Sequence, residues 1–241
     1  MAGLQPIDEN WQTALAIVAH PDDLEYGAAS AVARWTNQGK QVSYLLVTRG
    51  EAGIDALPPA EAGPLRVREQ IAGARLVGVD QVDFLDYPDG MVTYSLDLRK
   101  DIARAVRVAR PDVVITGNHH DYWGPAMPNQ ADHVAVGRAV LDGVRDAANR
   151  WVFPELVREE NLMPWSAGQL LISASPQANG YVDVTDCFDA GVASLAAHRG
   201  YLDGLGDHPM SKPRDFLERI ARSTGSSVGV ELAVSFEVIR L

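Results

Sequence analysis

Residues 15–25 read LAIVAHPDDLE, an apolar run that stops at a histidine, a proline and two adjacent aspartates. The run ALAIVA (14–19) has the length and composition of a buried strand, and the residues after it change period. Ala28, Ala31, Val32 and Trp35 repeat at the i, i+3, i+4, i+7 spacing of a helix face, which Gly39 would end. The same unit returns along the chain. VSYLLVT (42–48), VDFLD (82–86), DVVIT (112–116) and LLISA (170–174) are strand candidates. Helical periods fall between them: Val67, Ile71 and Ala74; then Leu98, Ile102, Ala105 and Ala109 behind the cap residue Ser95; then 130–149. A further helix is expected from Asp186 through Leu202, and VELAVSFEVIR (230–240) closes the chain as a strand; 203–229 carries no decisive pattern. Strands alternating with helix-length segments predict βαβ units, hence an α/β fold with a mainly parallel sheet covered on both faces.

With 241 residues, 46% of them hydrophobic, the chain is the size of one large domain. Its formal charge of −11 repels polyphosphate backbones and no basic block offsets it, so nucleic acid is excluded as a partner. Cys187 is the single cysteine and has no internal disulfide partner, which points to a reducing compartment. MAGLQPIDENWQ lacks the basic and apolar regions of a secretory leader, and no stretch reaches the roughly 18 apolar residues of a membrane span. A cytoplasmic protein without a membrane span is expected.

In open α/β sheets, ligands bind beyond the carboxyl ends of the strands, which is where His20 to Glu25 fall. No glycine-rich phosphate loop stands here, and two carboxylates would repel phosphate but attract a cation. A turn followed by a helix cap explains the same residues without a metal. Further ligands would have to come from another strand-to-helix loop, and PNQADH (128–133) is the best candidate. There Asn129 is a candidate N-cap, with Asp132 in the place of a capping-box acid. His133 lies three residues before Val136 and so on the inward face marked by Val136, Val140, Val144 and Ala147. His20, Asp23 and His133 then supply two imidazoles and a carboxylate, a set that suits zinc with an open fourth position; Asp22 is the spare acid, placed to act as general base.

These residues resemble the PIG-L/LmbE-like family of zinc-dependent N-deacetylases. AHPDDLE (19–25) is similar to its first motif and ADHVAVGRAV (131–140) to its second. TRGEAG (48–53), Arg66 with Glu69, YPDG (87–90) and AAHRG (196–200) are similar to smaller family segments in the same order. The resemblance implies a Rossmann-like three-layer sandwich, a single deacetylase domain over 1–241, metal binding by His20, Asp23 and His133, and Asp22 as base. It implies zinc, with ferrous iron as the alternative, and an N-acetylglucosamine-containing glycoside as substrate. By the same analogy Arg66 and Asp89 would contact sugar or aglycone, and Glu51 would shape the mouth of the site. A branch of the family cleaves the related amide of thiol conjugates.

One position departs from the resemblance. Gln130 stands where many members carry a histidine that stabilises the oxyanion and donates a proton; glutamine donates a hydrogen bond but delivers no proton. The acid is then Asp22 once protonated, or one of His119, His120, Tyr122 or His198. His119 and His120 end the fourth strand, so at most one faces a metal there. Tyr122, Trp123 and Met127 offer an apolar wall to a sugar ring or anchor their own loop. His198 is a substrate contact or a histidine at the core's edge. Two other functions fit the ligand trio: a non-haem iron(II) oxygenase, and a metal- or sugar-binding homologue that has lost turnover. An oligomeric form stays open.

Overall fold

The computed structural model describes residues 3–241. In chain order the elements are β1 (Gln5–Pro6), β2 (Thr13–Val18), α1 (Asp23–Gly27), α2 (Ala29–Asn37), β3 (Gln41–Leu46), α3 (Pro59–Leu76), β4 (Val82–Phe84), α4 (Leu96–Ala109) and β5 (Val113–Gly117). They continue with β6 (Tyr122–Gly124), β7 (Met127–Pro128), α5 (Ala131–Ala148), α6 (Glu155–Arg158), β8 (Gln169–Ser173), β9 (Gly180–Asp183), α7 (Phe188–Ala196), α8 (Arg199–Gly204), α9 (Pro213–Val228) and β10 (Ala233–Arg240). The main sheet runs β1-β9-β10-β8-β5-β2-β3-β4. Its β8-β5-β2-β3-β4 half is parallel, while β10 lies antiparallel to both β8 and β9. The predicted α/β sandwich with a mainly parallel sheet is the observed fold.

The period-2 alternation of β2 builds two cores at once. Ala14, Ala16 and Val18 face one layer with Val32 and Trp35 of α2, Leu195 of α7 and Leu217 of α9. Leu15, Ile17 and Ala19 face the other, with Leu98, Ile102 and Val106 of α4 and Val136, Val140 and Val144 of α5. A central strand buried on both sides reads as an unbroken apolar run for this reason. Helix α7 comes so close to α2 that a Cβ on Gly191 would stand 2.8 Å from the Ser30 backbone nitrogen, so only glycine fits there.

Ser95 caps α4 as expected, its hydroxyl accepting the Leu98 N–H at 3.1 Å. Elsewhere the outcome differs from expectation. The helix expected from Asp186 through Leu202 is two, α7 and α8, joined at His198. The undecided 203–229 contains α9, capped by Gly229 at φ 82. Strands β1 and β9 are two and four residues long, too short to show a period.

The loops after β2, β3, β4 and β5 and the start of α5 meet at one sheet edge. There the Ala19 carbonyl accepts both the N–H and the hydroxyl of Thr48, each at 2.9 Å, and ties the first two loops together.

Candidate active site

His20 leaves the end of β2, and α5 brings His133 to the same point. The His20 Nδ1 and His133 Nε2 atoms face each other at 3.2 Å. Asp23 lies against both: Oδ1 is 2.9 Å from His133 Nε2, and Oδ2 accepts the His20 N–H at 2.9 Å. One ligand atom from each of the three lies within 4.8 Å of the others.

The outer nitrogens fix what the inner ones can do. His20 Nε2 stands 3.0 Å from Asp89 Oδ1 and 3.2 Å from Asp132 Oδ2; both are acceptors, so this nitrogen carries the proton. His133 Nδ1 lies 3.0 Å from Asn129 Oδ1. The Asn129 amide is oriented by its NH2, which donates to the Asn118 and His120 carbonyls, so Oδ1 accepts and His133 Nδ1 also carries hydrogen. With both rings neutral, the two inner nitrogens present lone pairs toward a carboxylate. Such a set repels itself unless a positive charge stands among it, a metal ion or, without one, a proton shared with Asp23. Two imidazoles and a carboxylate with converging lone pairs fit a metal ion. Burial pulls the pKa of each imidazole down, but the surrounding carboxylates, Asp23 foremost, outweigh it and raise both. Burial pushes Asp23 up, yet His133 and His20 hold it well below the usual carboxylate range.

Asp22 occupies the N-cap position of α1 with φ 84 and ψ −16, and its side chain caps nothing. A non-glycine residue in this left-handed region carries strain of about 1–3 kcal/mol, although Asp tolerates it better than most. Its carboxylate turns instead to the buried Arg66, whose Nη2 donates to Oδ2 at 3.1 Å and also to the Pro21 carbonyl. Arg66 is pinned from behind by the Tyr201 ring, 4.1 Å from its guanidinium carbon. Burial outweighs Arg66 and pushes the Asp22 pKa up to about 7.

The remaining expected residues divide by place. Asp89 and Glu51 clamp two loops reciprocally: Asp89 Oδ2 accepts the Ala52 N–H at 2.8 Å, and Glu51 Oε1 accepts the Asp89 N–H at 2.9 Å. Asp132 caps nothing; it accepts the Gly90 and Val92 N–H groups and braces His20. Asn129 likewise holds His133 instead of capping α5, whose N-cap is Gln130. Gln130 is exposed at the start of α5 with no side-chain bond among the described residues. The Trp123 ring stands edge-on to His133 at 5.7 Å, while Tyr122 is exposed. His119 and His120 stack on each other at 4.4 Å, and His120 Nε2 pairs with Glu237 at 2.8 Å. Neither bonds to His20, Asp22, Asp23 or His133. Glu69 accepts the Gly200 N–H rather than pairing with Arg66 along α3.

His198 is fully buried behind Arg66, 3.9 Å from Glu25, with neither ring nitrogen bonded among the described residues. Burial, aided by Arg66, pulls its pKa down from 6.5 to about 3. The unfolded chain therefore binds a proton here at higher pH than the native chain, and stability is lost as pH falls from 6.5 toward 3. At full extent this is about 5 kcal/mol. Glu25, pushed up to about 7 mainly by burial, acts in the opposite sense, so the useful comparison is with a variant. His198→Gln is expected to flatten the acid limb in urea melts taken across that range; an unchanged limb would show that His198 does not govern it.

This edge geometry is accompanied by a match over residues 15–144 to PIG-L, described as GlcNAc-PI de-N-acetylase. The chain belongs to the PIG-L family. Diacetylchitobiose deacetylase of Thermococcus kodakarensis is 27% identical over 189 residues, 76% of this chain and 68% of that protein. A 1D-myo-inositol 2-acetamido-2-deoxy-alpha-D-glucopyranoside deacetylase of Geodermatophilus obscurus is 29% identical over 169 residues, spanning 59% of this chain and 56% of that PIG-L relative. Among solved structures, N,N'-diacetylchitobiose deacetylase from Pyrococcus horikoshii, complexed with its inhibitor MPG, superposes with a TM-score of 0.84 at 26% identity, covering 96% of this chain and 85% of that one. The three-layer PIG-L fold thus extends beyond the matched segment, through β8, β9 and β10. Among the described residues no helix is long and apolar enough to cross a membrane.

Proposed function

We propose that this chain, acting as one domain, is a zinc-dependent amide hydrolase that removes acetyl from an N-acetylated amino sugar, such as an N-acetylglucosamine glycoside, in the cytoplasm. The observation that carries this reading is the convergence of the inward imidazole nitrogens of His20 and His133 on Asp23, beside a carboxylate, Asp22, that caps no helix. His20, Asp23 and His133 would hold the ion, and the N2O set with an open position favours zinc. When bound, zinc acidifies water and polarises a carbonyl.

Asp22 takes the proton that water loses as its oxygen attacks the amide carbon. Burial raises this carboxyl toward neutrality, and a cation beside Asp23 would draw it back down, the two opposing effects that set a base for neutral pH. The same carboxyl then returns that proton to the amine nitrogen as the C–N bond breaks, so no net proton is left on the enzyme. None of His119, His120 and Tyr122 hydrogen-bonds to His20, Asp22, Asp23 or His133, and His198 is sealed from the surface, so Asp22 is assigned as the donor. Gln130, exposed at the start of α5, donates a hydrogen bond to the developing oxyanion. Trp123, with the exposed Tyr122 beside it, offers the sugar an apolar face.

The test is an assay for free amine over a panel of N-acetylglucosamine glycosides, with chelator and with zinc restored. Zinc-dependent amine release is expected; release that survives chelation, or none from any glycoside, overturns the proposal. A narrower outcome follows from Asn129, which fixes the tautomer of His133. Asn129→Ala is expected to weaken zinc binding by about 10–100-fold in competition with a chromophoric chelator. Asn129→Asp keeps the acceptor and should lose less.

A further inference from the structure

The left-handed backbone of Asp22 needs something to hold it. An extended N-cap would turn this carboxylate onto the first turn of α1, the ordinary role of aspartate there. At φ 84 the carboxylate is free for Arg66, and the Asp22 N–H is left pointing into the protein. That N–H has one acceptor among the described residues, the Gln70 side-chain carbonyl on α3, at 2.9 Å. Gln70 is buried and its amide has one workable orientation, because Nε2 donates to Glu25 Oε1 at 3.0 Å. The same Glu25 oxygen lies 3.2 Å from the Ser194 hydroxyl of α7, which donates to the Gly73 carbonyl of α3 at 2.8 Å. Three helices thus converge on one peptide group.

We propose that Gln70 is a positioning residue for the Asp22 base: anchored on Glu25, its carbonyl holds the Asp22 peptide in the conformation that keeps the carboxylate off the helix end. The inference rests on the hydrolase reading above. Gln70→Met preserves length and removes the acceptor. It is expected to lower kcat on the order of 10²-fold, since a displaced reacting group loses rate and not affinity, while KM and bound zinc per chain stay as in the parent. The exchanged pair, Gln70→Glu with Glu25→Gln, restores a hydrogen-bonded couple whose position-70 member still accepts the Asp22 N–H, and it should recover most of the lost kcat. Hydrogen exchange of the Asp22 amide, followed by NMR, supplies a readout independent of turnover. It should quicken in Gln70→Met and slow again in the exchanged pair. Unchanged kcat in Gln70→Met, a loss confined to KM, or an Asp22 amide as protected as in the parent would overturn the proposal. Were the parent to release no amine from any substrate, the hydrolase reading would fail, and the exchange rates alone would decide the role of Gln70.

Discussion

Asp22→Asn is expected to keep the zinc proposed above and to lower kcat by about 10³-fold, within the range for loss of a general base. Asparagine is the informative replacement because it tolerates the left-handed backbone at least as well as aspartate and keeps an oxygen for Arg66. What disappears is the ability to take up a proton. The ligand atoms of His20, Asp23 and His133 do not depend on Asp22, so metal content should match the parent. If the purified variant held its zinc and still hydrolysed at the parent's rate, the base would have to be sought elsewhere. Because Asp22 is also assigned the return of the proton to the leaving amine, supplying a substrate with a better leaving group should rescue the variant only partly.

The second large effect is expected from His133→Ala. This ring closes the ligand set across more than a hundred residues of chain, and it is held by Asn129 on one side and Asp23 on the other. Without it only His20 and Asp23 converge, and activity should fall about 10³-fold or more, the equivalent of several kcal/mol of Lewis-acid stabilisation. Added zinc should also cease to raise the melting temperature. In the parent, zinc at about 1,000 times its Kd is expected to stabilise by about 4 kcal/mol. A variant that still melts higher with zinc, at the parent's concentration dependence, would place the ion away from His133. Asp22→Asn separates base from metal, whereas His133→Ala removes both functions together.

How far the site could be read in advance differs by residue. The convergence of His20, Asp23 and His133 was legible because each occupies a loop whose sheet edge follows from the order of strands and helices. Asn129 and Asp132 were misread as caps. Their residue types suit a cap, and only the approach of Gly90, Val92 and His133 gives their side chains other partners. Arg66 was expected to contact sugar or aglycone; it is buried instead between Asp22 and the Tyr201 ring. Gln70 carried no signal, since a glutamine within a helix matches no motif.

The apolar run of β2, the helical periods on both sides of it and the residue types at its carboxyl end determined the α/β layers and the chemistry available at the edge. Those properties are local: a strand buried on both faces must be apolar throughout, and a loop between fixed elements must emerge at a fixed edge. Which way Asp22 turns, which imidazole nitrogens face inward and which polar groups brace them were decided by the tertiary structure alone. Each depends on a hydrogen bond between segments tens of residues apart, and such a bond leaves no periodicity in the chain.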